Sequence, residues 1–235
     1  RFFTIFLGQK ALKLRKVEKQ KLYSYSWKAC NSEESGLNIK DEGGWTSLMW
    51  ACFYGHKDVI QLLMDHSDRI ELNARSNLGM TAFILACSIG HKDVVKLLLD
   101  HSETIELNAR YNNGVTGFMW ACFNGHKDVV QLLLDNSERN IDFNAKTNSR
   151  WTAFMWACQE GHTDVVKSLL NHSERNIDFN AKANSGWTAF MIACQEGHKD
   201  VVKLLLENLE KNIDLNAKHV TGLTAFMMAC QNGYK

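Results

Sequence analysis

Cysteine and histidine are the residue types in this chain with the most potential for chemistry, through metal binding, disulfide formation or nucleophilic attack. The chain contains seven cysteines and nine histidines in 235 residues. Six cysteines recur at intervals of 35 or 36 residues: Cys52, Cys87, Cys122, Cys158, Cys194 and Cys230. Five histidines share this period, each directly after a glycine: His56, His91, His126, His162 and His198.

These residues do not form the local pairs that such chemistry uses. The sequence contains no C-x-x-C or H-x-x-x-H pair, and it has no phosphate-binding loop, nucleophile elbow or paired carboxylates outside the repeat phase. We therefore predict no catalytic residue, no cofactor and no metal. We interpret the six periodic cysteines as small reduced side chains that pack like alanine, which implies a reducing compartment, the cytoplasm or the nucleus.

The elements that position these residues are copies of one repeat. Threonine keeps the same phase at Thr46, Thr81, Thr116, Thr152, Thr188 and Thr224, and asparagine does so at Asn38, Asn73, Asn108, Asn144, Asn180 and Asn216. A fixed period of this length is typical of a solenoid in which each repeat packs on its neighbours. We divide residues 36–235 into repeats of about 44–78, 79–113, 114–149, 150–185 and 186–221, with a partial repeat over 222–235.

The fifth copy predicts two helices and an extended arm. Thr188 is placed to cap a first helix over Ala189–Glu196, which Gly197 ends. A second helix, apolar on most sides, follows over 198–206. The polar residues of 212–222 have the composition of an arm that turns back into the next repeat.

The same segment resembles a known repeat. Gly-Trp-Thr-Ala-Phe-Met-Ile-Ala-Cys at 186–194, Gly-His at 197–198 and Val-Val-Lys-Leu-Leu-Leu at 201–206 resemble the ankyrin repeat, from its G-x-T-P-L-H-x-A-A segment to V-V-x-L-L-L. Six in-phase copies carry the resemblance over residues 36–235. It implies an all-α ankyrin-repeat solenoid of stacked helix-turn-helix repeats with hairpin-like arms. The implied function is a non-catalytic scaffold for protein–protein interaction.

Two departures from the ankyrin pattern stand out. The chain has no proline, so residues such as Ala153-Phe154-Met155 replace the Pro-Leu-His of the family, and the helix start loses the rigid first residue and the usual Thr-His hydrogen bond. The repeat is also two or three residues longer than the roughly 33 of the family. We expect the extra residues to lengthen the second helix or its exit loop.

Positions that vary between repeats predict the recognition surface. In ankyrin arrays, the residue after the turn glycine, the end of the first helix and the arm tip line the concave face and contact partners. Aromatic residues and arginine, which are enriched in binding hot spots, occupy these positions mainly in repeats one to three. We predict a protein or peptide partner there, bound by Trp45, Phe53, Tyr54, Arg75, Met80, Ile89, Arg110, Tyr111, Phe123, Asn124 and Trp151. Trp50, Trp120 and Trp156 are left out because we expect partial burial between repeats.

Two substitutions test this interpretation. Replacing Phe53, Tyr54 and Phe123 with glutamine should abolish partner binding with little change in melting temperature, whereas a collapse in stability would place these rings in the core. Arg150 stands where the other repeats have glycine. We expect a locally altered turn there, and a gain in stability on Arg150→Gly, because the turn favours a permissive backbone.

Charge separates the start of the chain from the rest. Residues 1–28 carry eight basic residues and only Glu18, a net +7, while the other 19 basic and 25 acidic residues give −6. We expect residues 1–35 to be a basic helical segment that caps the first repeat. The rival interpretation is a basic arm that binds nucleic acid or an anionic surface. Nucleic acid is the less favoured partner.

The hydropathy and the two ends of the chain bear on what kind of protein it belongs to. No apolar run is long enough to span a membrane. The chain begins without methionine and ends within a repeat, so we expect a fragment. The alternative function is therefore a regulatory or targeting array of a larger enzyme or channel that the fragment lacks. We expect the array to be monomeric.

Overall fold

The computed structural model describes residues 36–101 and 103–233, which fall into two compact units. Unit 1 comprises residues 36–86 and 91–106, and unit 2 comprises residues 87–90 and those from 107 onward. The expected cap over residues 1–35, and with it the basic segment 1–28, lies outside the described residues.

Within the described residues the fold consists of α-helices and short 3-10 turns. The helices are α1 (Ser47–Tyr54), α2 (Lys57–Met64), α3 (Ala82–Ile89), α4 (Lys92–Asp100), α5 (Gly117–Phe123), α6 (Lys127–Asp135), α7 (Ala153–Gln159), α8 (Thr163–Asn171), α9 (Ala189–Glu196), α10 (Lys199–Glu207) and α11 (Ala225–Gln231). Each odd-numbered helix is the first helix of a repeat, and each even-numbered helix is the second. No β-strand occurs in the part of the chain that the structure describes.

The first helix of each repeat begins at its threonine, as predicted. The Thr188 Oγ1 accepts a hydrogen bond from the Met191 N–H at 3.3 Å, and the threonines of the other repeats cap their helices in the same way. This bond satisfies a backbone donor that the helix leaves unpaired. At the other end of α9, Gly197 has φ of +72°, the left-handed conformation that ends a helix. The helix therefore forms without the proline of the family.

Stacking of like helices builds the interior. In unit 2, α5, α7, α9 and α11 pack in that order, and so do α6, α8 and α10; in unit 1, α2 packs on α1 and on α4. Small residues such as Ala157 and Cys158 are fully buried in the first helices and allow close approach. In the second helices, most Val and Leu residues are buried while residues such as Lys203 are exposed. The all-α class of stacked helix-turn-helix repeats is confirmed.

The arms are hairpin-like turns that bond to one another along the chain. In each arm a backbone N–H donates to the carbonyl four residues later, as Thr147 does to Trp151 at 2.9 Å. Successive tips are joined by further backbone bonds, from Asn77 to Gly43 in unit 1 and from Asn148 to Asn113 in unit 2. The arms therefore add a second set of links between neighbouring repeats.

The periodic asparagines form a third set of links. The Asn108 Nδ2 donates to the Asn140 carbonyl at 2.8 Å, and its Oδ1 accepts from the Asp142 N–H at 2.8 Å. Asn38, Asn73, Asn144 and Asn180 repeat both bonds with the following repeat. An amide is well suited to this position, because it donates and accepts at once.

The extra residue of the longer repeats lies in the exit loop. The second helix has nine residues in repeat two, α4, and nine in repeat three, α6, so the helix is not lengthened. After α6, the turn Ser137–Arg139 leads to Asn140, which has φ of +59°. Asn176 and Asn212 occupy the same position with φ of +53° and +56°. Asparagine adopts this left-handed conformation more readily than most residues.

The altered turn expected at Arg150 is wrong. Arg150 has φ of +63°, in the left-handed region where Gly114 has +82° and Gly186 has +83°. Its N–H donates to the Thr147 carbonyl at 2.8 Å, and the two glycines make the same bond with the residue three positions earlier. The turn therefore keeps its hydrogen bond and its shape, and the arginine adopts the conformation that glycine favours.

Candidate partner-binding surface

The periodic thiols are packing groups. Cys52, Cys87, Cys122, Cys158 and Cys194 are buried and form no disulfide bond among the described residues, and Cys230 is exposed. Burial raises the pKa of the Cys194 thiol to about 11 and that of Cys122 well above its ordinary value, where the neighbouring Cys87 and Cys158 thiols raise it further. Burial also raises the pKa values of Cys52 and Cys158. Because the thiolate is the reactive form, these protonated side chains are poor nucleophiles.

The periodic histidines link neighbouring repeats. The Nε2 of His91, His126, His162 and His198 lies 2.7–3.1 Å from a carbonyl oxygen in the preceding repeat. These four histidines therefore have a structural role, because each contact joins two neighbouring repeats. Each ring also lies against the glycine of the Gly-His pair in the preceding repeat. A Cβ on Gly90, for example, would be 2.5 Å from the His126 ring. The glycine is therefore required for both its conformation and its lack of a side chain.

Searched within residues 36–101 and 103–233, the chain brings together no three histidine, cysteine, aspartate or glutamate side chains in a position to bind one metal ion. No helix in that part is long and apolar enough to cross a membrane. Among the partly exposed aromatic rings of the array, two groups form clusters.

The first cluster belongs to unit 1 and consists of the rings of Trp45, Trp50 and Tyr54. The Trp45 and Trp50 ring centroids are 4.5 Å apart, and the Trp50 and Tyr54 rings stack at 5.6 Å with 16° between their planes. All three are half-buried. Trp45 lies directly after the turn glycine. Trp50 and Tyr54 are four residues apart and therefore share one face of α1, where the Trp50 ring meets that of Trp45.

Two predicted contact residues, Phe53 and Met80, are buried, so the prediction is wrong at both positions. Phe53 is 6% exposed, because its ring packs edge-on against Trp45 and Trp50 at 5.5 and 6.0 Å. Met80 is 3% exposed, since the hairpin arm turns this position toward the interior. The glutamine substitution at Phe53 would therefore destabilise the protein, contrary to our expectation, and neither residue belongs to an accessible surface.

The two predicted arginines are exposed and make contacts within their own units. Arg75 pairs with Glu106 at 3.1 Å, and the Arg110 Nη1 donates to the Lys146 carbonyl at 2.8 Å. Both contacts join an arm to the following repeat. These bonds give the arginines a structural role, and their part in recognition stays a prediction.

The second cluster belongs to unit 2 and consists of Tyr111, Trp120, Phe123 and Trp156. The Phe123 ring lies 5.7 Å from Trp120 and 5.4 Å from Trp156, and Tyr111 lies 6.3 Å from Trp120. All four are half-buried. The indole N–H of Trp120 is buried without a hydrogen-bond partner among the described residues. This cluster spans two neighbouring first helices, α5 and α7.

The other predicted contact residues of unit 2 are Ile89, Asn124 and Trp151, all half-buried. The Asn124 Nδ2 donates to the Ser88 carbonyl at 2.9 Å, which ties it to the preceding repeat. The prediction missed Trp50, Trp120 and Trp156 as surface residues. Their partial burial is as expected, but their rings complete both clusters. Each of these tryptophans precedes a varying position by four residues: Tyr54, Asn124 or Glu160. This spacing puts the two residues on the same face of the helix and could have indicated that the tryptophans reach the surface.

Comparison with known proteins identifies the class. A family model described as ankyrin repeats (3 copies) matches residues 22–111, 68–147, 103–183 and 174–235. The chain therefore belongs to the ankyrin repeat family. Among curated relatives, it is similar to osteoclast-stimulating factor 1 of Danio rerio, with 44% identity over 48 residues, which are 20% of this chain and 22% of that protein. The protein of the same name from Monopterus albus is 43% identical over 49 residues, 20% of this chain and 23% of its own length. Each match spans less than a quarter of either protein.

Proposed function

We propose that this array is a non-catalytic scaffold that binds a protein partner through its first helices and arm tips, the positions that form the concave face in ankyrin arrays. The observation that supports the proposal most strongly is the pair of half-buried aromatic clusters. Equivalent positions in other repeats carry Gln159, Gln195 and Glu196. A partly exposed ring contributes its full hydrophobic free energy only when a partner covers it.

The side chains with reactive groups support a non-catalytic function. The buried thiols are held in the protonated form by burial, and four periodic histidines are engaged with backbone carbonyls. These groups serve the stack. We also propose a reducing compartment, cytoplasmic or nuclear, because the five buried cysteines of the described residues form no disulfide bond.

The contact residues are proposed separately for each unit. In unit 1 they are Trp45, Trp50 and Tyr54, with Arg75 at the neighbouring arm. In unit 2 they are Ile89, Arg110, Tyr111, Trp120, Phe123, Asn124, Trp151 and Trp156. Aromatic side chains supply the contact area, and the exposed arginines beside them would orient the partner.

Selection of binding peptides from a displayed random library tests the proposal, followed by measurement of dissociation constants by isothermal titration calorimetry. We expect Tyr54→Gln or Phe123→Gln to weaken binding about tenfold or more, the effect of losing one hot-spot residue. Phe226→Gln is the matched control, because Phe226 is a 48% exposed ring outside both clusters. Selected peptides that bind both surface variants as tightly as the unchanged chain would contradict the proposal.

A further inference from the structure

The aromatic cluster of unit 1 contains a built-in carboxylate. The Asp41 Oδ1 accepts the N–H groups of Gly43 and Trp45 at 2.9 and 2.8 Å, and its Oδ2 accepts the Trp50 indole N–H at 2.9 Å. These three bonds fix the carboxylate at the edge of the Trp45–Trp50 ring pair. Its position is therefore set by the fold and not by a flexible side chain.

The described residues of unit 1 provide no counter-charge for Asp41. Among the described residues, no basic side chain forms an ion pair with Asp41, and the Nζ of the adjacent Lys40 donates instead to the Arg75 carbonyl at 3.3 Å. A carboxylate offers about four lone-pair positions. Three are occupied, which leaves one on Oδ2. Asp41 is exposed, so this position is accessible from solvent.

The neighbouring rings add a second attraction for positive charge. The face of an aromatic ring carries negative partial charge, and tryptophan binds cations best of the aromatic residues. The hydrogen bond that the Trp50 indole N–H donates to the carboxylate further increases the negative partial charge on the face of the ring. A planar guanidinium can stack on such a face and donate to a carboxylate at the same time, whereas an ammonium is a point charge without a stacking surface.

The carboxylate is found only in the arm that leads into repeat one. The positions equivalent to Asp41 in the later repeats are Ser76, Tyr111, Thr147, Ala183 and His219, none of which is acidic. Repeat four keeps both tryptophans, Trp151 and Trp156, but has Thr147 in place of the aspartate. The combination of a fixed carboxylate with stacked rings therefore occurs once among the repeats.

We propose that Asp41, Trp45, Trp50 and Tyr54 form a binding site for an arginine side chain of the protein partner. The guanidinium stacks on the exposed part of the rings and donates a hydrogen bond to the Asp41 Oδ2. This inference rests on the proposed function, because it names the chemistry of the partner at a surface already assigned to binding.

Titration with N-acetyl-arginine amide tests the site, with N-acetyl-citrulline amide as the neutral, nearly isosteric control. The readout is the two-dimensional NMR signal of each indole N–H in the full chain, assigned by tryptophan substitution. We expect saturable shifts of the Trp45 and Trp50 signals with a dissociation constant in the millimolar range, and binding of citrulline that is at least about fivefold weaker. Equal binding of the two compounds would overturn the proposal.

A pair of charge variants identifies the carboxylate involved. Asp41→Asn should weaken arginine binding by about fivefold or more, while Glu42→Gln, which removes the same charge one residue away, should change it less than twofold. Equal losses in both variants would indicate nonspecific attraction and overturn the assignment. If Asp41→Asn lowers the melting temperature, Trp45→Leu and the citrulline comparison on the unchanged chain decide the question.

The outcomes separate this inference from the proposed function. Suppose that selected peptides lose affinity with Tyr54→Gln but tolerate replacement of every arginine by citrulline. The arginine site would then be wrong while the scaffold function stands. Conversely, a specific arginine titration together with peptides that ignore both aromatic clusters would support the site and contradict the proposed partner surface.

Discussion

At the scale of single residues, the side chains with chemical potential serve packing and linkage. The periodic cysteines lie beside alanine in the first helices, where their small size allows neighbouring helices to approach. Burial raises the pKa values of Cys52, Cys122, Cys158 and Cys194 because the interior solvates a thiolate poorly. The same burial that makes the thiols unreactive makes the stability of the fold depend on pH.

We expect the free energy of unfolding to fall as the pH rises above about 9, the ordinary pKa of a thiol in an unfolded chain. The folded pKa values are raised, so the stabilisation is fully present below pH 9 and is lost as the pH approaches the folded values. Each of these four thiols should contribute a loss of about 1.4 kcal/mol per pH unit in this window. Urea unfolding at pH 7.5, 9 and 10.5 measures the slope.

A cysteine variant serves as the control for this pH dependence. Cys194→Ala removes one thiol, whose pKa is raised to about 11, so its slope between pH 9 and 11 should be smaller by the contribution of one group. An unchanged slope would mean that the thiols do not govern the alkaline loss of stability.

Arg150 allows a test of backbone strain at one residue. Arg150→Gly should raise the free energy of unfolding by about 1 kcal/mol, because φ of +63° is unfavourable for a side chain with a Cβ. Gly222→Arg, at the equivalent turn with φ of +82° and open space around its Cα, should lower it by about the same amount. Urea denaturation of both variants measures the pair, and a loss of stability in Arg150→Gly would contradict the argument.

At the scale of elements, the repeat pattern predicted the helices well and the links between them poorly. The threonine and glycine positions gave the limits of α9 correctly, because capping is local. The partners of Asn108 could not be predicted, because they lie 32 and 34 residues away and become neighbours only through stacking. Periodicity marks such a residue as necessary without showing what it bonds.

Removing one asparagine link should destabilise the junction between two repeats. Asn108→Ala is expected to cost about 1–2 kcal/mol, since it breaks bonds to the Asn140 carbonyl and the Asp142 N–H. Asn112→Ala, at an exposed arm position, is the matched control and should stay within about 0.5 kcal/mol. Thermal unfolding measures the loss of stability in both variants. Equal losses would show that the Asn108 hydrogen bonds do not stabilise the junction.

At the scale of the whole molecule, each repeat depends on the next one for burial. Phe154 and Phe226 occupy the same position in two first helices, α7 and α11 of unit 2. Phe154 is 2% exposed, and its ring packs against that of Phe179 at 4.8 Å. Phe226, in the last described repeat, is 48% exposed. In a repeat protein, stability is approximately a sum of repeats and nearest-neighbour interfaces.

The same substitution should therefore have different costs at these two positions. Phe154→Ala is expected to cost about 3–5 kcal/mol, because it leaves a cavity between packed helices. Phe226→Ala should cost about 1 kcal/mol or less, because half of its ring area remains in water. Free energies of unfolding from urea titrations give the comparison. Similar costs would mean that Phe226 is covered in solution.

The sequence alone determined the class of this protein. Six in-phase copies of helix caps, turn glycines and apolar stripes predict stacked helix pairs, because each of these signals acts over a few residues. It also predicted that Tyr54 and Phe123 stay partly exposed, although it placed Phe53 and Met80 on the same surface. Phe53 and Tyr54 are adjacent aromatic residues, and the sequence contains nothing that separates them.

Tertiary structure alone decided which rings are accessible and what surrounds them. Burial of Phe53 depends on Trp45 and Trp50, and the fixed carboxylate of Asp41 depends on an arm turn that meets the indole of α1. Such contacts arise when two elements approach at a defined distance and angle. Exposure and charge at a surface belong to that arrangement, so a local pattern of residues does not specify them.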